Sequence, residues 1–272
     1  MDLKKREHII RKELLAVEKQ ERRIRMSAAA AKGLPWKEGV EKRIPEKVYS
    51  GLESAFRKGF ALVFEQGRGI IEKSCRPEEL RADHNIRDFA VQLKGGRKEL
   101  RSMGKSARQG DLKNMVITAA EGIGLGALGV GMPDVVLFLS TLLKGIYEST
   151  LHFGYTYDTG LDRLLILTMI RTAMSRGEDW AAGDEAVDKL LAAGELAVTE
   201  EEVQLVLGAA ASALAMDMLI LKFIQGIPVV GILGGAANPV YYGKILKYVR
   251  LKYRKGYLLK QLKKLREGSG PV

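Results

Sequence analysis

The sequence is poor in the residues that build metal and redox sites. A single cysteine (Cys75) excludes a disulfide framework and a cysteine-based zinc site. Three scattered histidines (His8, His84, His152) form no ligand spacing, so no metal is expected. Prolines number only 7 against 30 glycines, and the glycines are clustered. No stretch sustains the alternation of a strand. Neither a P-loop signature nor HExxH is present, and Ser140 in LFLSTLL lacks a nucleophile elbow. The opening residues Met1 to Arg6 are too charged for a secretory signal, so a cytoplasmic protein is the expectation.

What is present is charge, unevenly placed. The net charge is +11. Residues 1–50 hold 14 basic and 8 acidic side chains, whereas 148–202 hold 4 and 12. Residues 244–266 hold 10 basic and no acidic side chain, more than solubility requires. Such a block suits anionic lipid, nucleic acid or an acidic protein surface. The acidic middle could also neutralise it within the fold.

Apolar spacing predicts helices over 3–31, 45–75 and 77–113, the last broken at Gly95-Gly96. Further helices are expected over 134–152, 161–176 (capped by Asp158 or Thr159), 184–193, 200–225 and 240–266. The fold class is mainly α: a charged N-terminal helix (1–33), one multi-helix domain (34–266) with two central glycine-rich apolar elements, and a disordered tail (267–272). Those elements are interrupted by Pro133-Asp134 and by Pro228 and Pro239, so they read as buried helical elements before membrane spans. Gly122, Gly126, Gly129 and Gly131, with Gly231, Gly234 and Gly235, suit close helix packing, and the two elements are expected to touch. Gly124-Leu125-Gly126-Ala127-Leu128-Gly129 matches a dinucleotide fingerprint, but residues 114–121 read as helix where a strand is required. No cofactor is expected.

Glu121 and Asp134 are the carboxylates of the first apolar element, expected to be buried and held by backbone N–H groups or used by a hydrolase. Asp134 and His152 would lie ~27 Å apart along one helix, too far to act together. The helix KILKYVRLKYRKGYLLKQLKKLR is the sharpest signal. Leu246, Val249, Tyr253, Tyr257 and Leu258 can share one face, flanked by Lys244, Lys247, Arg250, Lys252, Arg254, Lys255, Lys260, Lys263, Lys264 and Arg266. That pattern suits a membrane interface, with nucleic-acid binding as the rival and a core helix with snorkelling cations as the plain alternative.

Residues 119–158 (AAEGIGLGALGVGMPDVVLFLSTLLKGIYESTLHFGYTYD) and 227–258 (IPVVGILGGAANPVYYGKILKYVRLKYRKGYL) resemble the EcsC family, over about 35–262. Phe153-Gly154-Tyr155 stands where the family usually has Tyr-Gly. The resemblance implies no secure molecular activity. The family takes its name from a gene beside an ABC transporter implicated in secretion, which implies a membrane context and a membrane protein complex as a partner. It marks Glu121, Asp134, Tyr155, Asp158 and Asn238 as site candidates. The expectation is a protein peripheral to the cytoplasmic face of an anionic membrane, with a Glu121/Asp134 hydrolase and a nucleic-acid binder as alternatives.

Overall fold

The structure, a computed structural model, describes residues 2–31, 39–40, 42–104, 132–194, 196–225 and 237–268. Among these the chain is mainly helical and carries no strand. The order is α1 (Leu3–Ala31), α2 (Glu46–Leu62), α3 (Arg68–Cys75), α4 (Pro77–Lys94), α5 (residues 97–104) and α6 (Met132–His152). Then come α7 (Gly160–Met174), α8 (Gly177–Ala192), α9 (Glu200–Gln225) and α10 (Ala237–Arg266).

Local chemistry sets the boundaries. Pro77 occupies the first turn of α4, where its missing N–H costs nothing. Gly95 ends α4 at φ +60°, and a Cβ there would lie 2.6 Å from Arg6 Nε. α7 opens on a capping box in which Thr159 and Asp162 each satisfy the other's backbone N–H, so Thr159 and not Asp158 is the cap. Thr199 and Glu202 make the same exchange before α9. The helix expected over 45–75 is divided by a π-helical turn at Val63–Gly67. This wider turn re-phases the apolar stripe and brings Ile71 and Cys75 back to the buried side. α8 starts at Gly177, earlier than the expected 184, and buries Trp180 in its first turn.

The helix with the most cations is the hub of the fold. α10 packs against α1, α6, α7 and α8, and between Ile245 and Leu258 its buried residues lie all around the helix. α9 packs against α2 and α7 on the other side of the bundle. Its stretch Glu200–Leu221 is long and apolar enough to cross a membrane (mean hydropathy 1.8), yet 61% of its most apolar part is buried within the fold. A core helix passes the same test.

α6 and α10 run side by side in the same direction, Gly145 facing Tyr242 and Leu246 and Ser149 facing Arg250. Asp217, late in α9, reaches Lys244, early in α10. The start of α6, the end of α9 and the start of α10 therefore share one end of the bundle. Gly122, Gly126, Gly129, Gly131, Gly231, Gly234 and Gly235 lie outside the described residues, as does the expected contact between the two glycine-rich elements.

Close packing through glycine is visible at Gly145, where a Cβ would come within 2.6 Å of Tyr242 Oη and 2.8 Å of Leu246 Cδ1. Gly51, exposed within α2, meets nothing within 4 Å. Gly145→Leu should therefore cost ~1–3 kcal/mol or more by forcing α6 from α10. Gly51→Ala should instead stabilise by ~0.5–1 kcal/mol through helix propensity. Urea denaturation of the two variants measures both, and equal shifts would contradict the packing.

Candidate functional site

α10 cannot bury its cations without partners, because an unpaired charge in the interior is costly. The partners come from distant parts of the chain. Lys252, with 0% of its side chain exposed, places Nζ 2.6 Å from Glu21, 2.8 Å from Asp184 and 2.6 Å from Asp188. Lys255 Nζ lies 2.8 Å from Glu21 and 2.7 Å from Asp188. The three carboxylates, from α1 and α8, approach within 4.8 Å of one another, a spacing that could grip a metal ion. The Lys252 ammonium already stands among them, so the cluster reads as an ion-pair seam.

A second knot surrounds Glu13 of α1, only 1% exposed. Its Oε1 accepts from Arg97 Nε (2.7 Å) and Arg101 Nε (3.2 Å), and its Oε2 from Arg254 Nη2 (2.7 Å). Burial alone would raise the Glu13 pKa, but the three guanidiniums outweigh it and hold the carboxyl below its usual range. Glu13 therefore stabilises the fold above the ordinary carboxylate pKa, and that stability is lost as pH falls through its lowered value. At the other end of α10, Asp217 pairs with Arg176 and, at 3.2 Å, with Lys244. Desolvation of the Lys244 ammonium, with the neighbouring Arg176 charge, pushes Lys244 down to about 8.

The tyrosines of α10 also turn inward. Tyr248 donates to Asp184 (2.6 Å), Tyr257 to Asp88 (2.7 Å) and Tyr241 to the Asp217 carbonyl (3.0 Å). Burial, with the adjacent carboxylates, raises the Tyr248 and Tyr257 hydroxyls above their usual value. These rings belong to the core, which corrects their expected place at a membrane boundary.

The expected lipid-facing cations divide accordingly. Lys252, Arg254 and Lys255 are tied into the interior, and Arg250 donates to Ser149 Oγ at 3.3 Å. Lys260 sits 3.6 Å from the Tyr155 ring centroid, and Lys264 lies 4.0 Å from Asp88. Arg266 reaches Glu7 at 3.8 Å and Lys263 reaches Glu267 at 3.7 Å. Lys247 is exposed.

Of the other candidates, Glu121 lies outside the described residues, as does the Asn238 side chain. Asp134 is exposed in the first turn of α6, which corrects its expected burial. Tyr155 packs on Tyr253 (centroids 4.9 Å apart), and its buried hydroxyl abuts Gly256 and has no hydrogen-bond partner among the described residues. Asp158 is exposed, 3.8 Å from Arg81. Among the described residues these candidates do not converge on a catalytic arrangement. His84 and Asp88 likewise go separate ways, His84 to the His152 carbonyl and Asp88 to Tyr257 and Gln261.

The sequence profile of the EcsC protein family matches residues 8–258, most of the chain and most of α1. The chain belongs to the EcsC family. No curated protein and no solved structure matches it.

The feature missed from the sequence of this EcsC protein is the two-sidedness of α1. None of its four glutamates is exposed: Glu13 enters the arginine knot and Glu21 the seam, Glu7 pairs with Arg11 and Arg266, and Glu18 is half-buried. Eight of its nine cations are exposed: Lys4, Lys5, Arg11, Lys12, Lys19, Arg22, Arg23 and Arg25. The signal was present in the helical phase. Glu13 and Glu21, eight residues apart, share the side of the apolar Ile10 and Val17.

Lys252→Met should lower stability by ~3–5 kcal/mol, because removing the ammonium leaves Glu21 and Asp188 to share Lys255 and leaves Asp184 with the Tyr248 hydroxyl and no cation. A smaller loss in urea denaturation than that of an exposed lysine such as Lys12→Met would refute the seam. Burial, with the Glu148 charge, pushes the Cys75 thiol up to about 12, so a maleimide or disulfide reagent at neutral pH should label Cys75 only after denaturation.

Proposed function

We propose that this EcsC protein docks peripherally on an anionic membrane through the outward face of α1. The carrying observation is the charge segregation of that helix: exposed cations along its length, exposed acid nowhere in it. At ~1.5 Å per residue its 29 residues present a strip about 43 Å long. Each cation near an anionic leaflet contributes ~1 kcal/mol, falling off within the screening length. Leu15 and Met26 are exposed large apolar side chains on the same face, as suits a helix lying at the headgroup boundary. No Phe, Tyr or Trp stands among these cations to stack a base, which favours lipid over nucleic acid.

This reading moves the contact from α10 to α1. α10 spends its central cations on holding α1, and α1 turns its own cations outward. The docking needs no catalytic residue and no cofactor.

Flotation with phosphatidylcholine vesicles containing phosphatidylserine tests it. The protein should float at low salt and sink at about 0.5 M salt, where charges are screened within a few ångströms. The combined Lys12→Glu, Lys19→Glu and Arg23→Glu variant should lose flotation while keeping its circular dichroism and melting temperature. Reversal of Lys252 and Lys255 should instead unfold the protein. A folded wild type that never floats, or a triple variant that floats as well, overturns the reading. Retention on RNA without flotation would point to nucleic acid.

A further inference from the structure

The knot at Glu13 holds more positive charge than it uses. Arg97 and Arg101, one turn apart on α5, both bond the same carboxylate oxygen through Nε. Glu13 takes no bond from their terminal Nη nitrogens, and their side chains are 46% and 51% exposed. The two forks therefore hang side by side over one oxygen with their outer edges toward solvent. Arg6 stacks against Gly95, two residues before Arg97, and donates Nη2 to the Leu93 carbonyl at 2.6 Å. Its Nε is buried without a hydrogen-bond partner. Arg254 gives Glu13 a third guanidinium, and among the described residues Glu99 folds over Gly96.

Guanidinium is the side chain best shaped to grip a tetrahedral oxyanion, offering paired N–H donors in one plane. Two such forks held by a buried carboxylate are preorganised, so little side-chain freedom is lost on binding. With Glu13 also held by Arg254, the two outward guanidiniums of Arg97 and Arg101 match a dianion better than a monoanion. We propose that Arg97 and Arg101, backed by Glu13 and flanked by Arg6, form a binding site for a phosphomonoester dianion. The group can arrive as a lipid headgroup or as free phosphate. The lipid form rests on the docking reading above and makes it selective: α1 supplies general attraction and the Arg97/Arg101 pair reads the headgroup.

The test uses the full chain. Vesicles of phosphatidylcholine with phosphatidic acid, whose headgroup is a phosphomonoester, are compared with phosphatidylserine vesicles of equal surface charge. The melting temperature is measured in parallel with inorganic phosphate and with chloride at matched ionic strength. Binding to the phosphatidic acid vesicles should be about tenfold tighter, the scale of an added charged hydrogen bond or two. Phosphate should raise the melting temperature. Arg101→Lys keeps the charge and leaves Arg97 and Arg254 on Glu13, yet it should remove both effects while preserving flotation on phosphatidylserine. Phosphate stabilisation that Arg101→Lys removes, without a lipid preference, upholds the site and assigns it to free phosphate. No lipid preference and no phosphate effect overturns the site, and so does an Arg101→Lys variant that keeps both effects. Flotation on phosphatidylserine decides the docking reading separately.

Discussion

Everything in this fold depends on how a helix with ten cations can lie at its centre. α10 carries apolar side chains enough to be a core helix, but its lysines and arginines cannot enter that core alone. They enter with carboxylates from α1, α4, α8 and α9, so helices far apart in sequence are fixed to α10 by ion pairs as well as by apolar packing. An arrangement of this kind specifies position sharply. Apolar contacts tolerate sliding by a fraction of a turn, whereas Lys252 among Glu21, Asp184 and Asp188 does not. The energetic return of such a seam is modest compared with an apolar one, because desolvation takes back most of the attraction. Its stronger consequence is that no single partner can be removed without stranding the rest.

The helices themselves were legible in the sequence because their periods are local. α1 and α9 fall where apolar spacing and the Thr199-to-Glu202 pattern place them. α8 was cut short because Gly177 to Gly183 carries little apolar periodicity, although Trp180 anchors it from within. The π-helical turn was invisible, since its residues are ordinary and its cause is the need of Ile71 and Cys75 to face inward. The role of α10 could not be read from its own residues. A run of cations beside tyrosines and leucines looks the same whether the opposite charge is a lipid headgroup or Glu21, 231 residues away. The one clue lay in bulk composition: an acidic stretch at 148–202 facing a basic one at 244–266.

The candidate polar residues fared differently for a related reason. Asp134 was singled out for its apolar neighbours in sequence, yet a first-turn position lets its side chain reach water. Tyr155 fills space between Tyr253, Gly256 and Lys260, which is a packing task for a residue that sequence pattern alone marks as special.

Conservation of charge across the fold then dictates where the unspent cations go. The chain has a surplus of positive charge, and the seam binds acids and bases in nearly equal numbers. Neutralising the interior therefore exports the surplus to the surface. On α1 the export is complete: because its glutamates are needed inside, its outer face has only cations left. The same division would keep the proposed docking apart from the packing of α1 on α10. An anionic surface meeting Lys12, Lys19 and Arg23 touches none of the carboxylates that hold α1 to α10. In the docking proposed above such a surface would also lower the mutual repulsion of the outer cations, so docking and folding would reinforce each other through one helix with two chemically distinct sides.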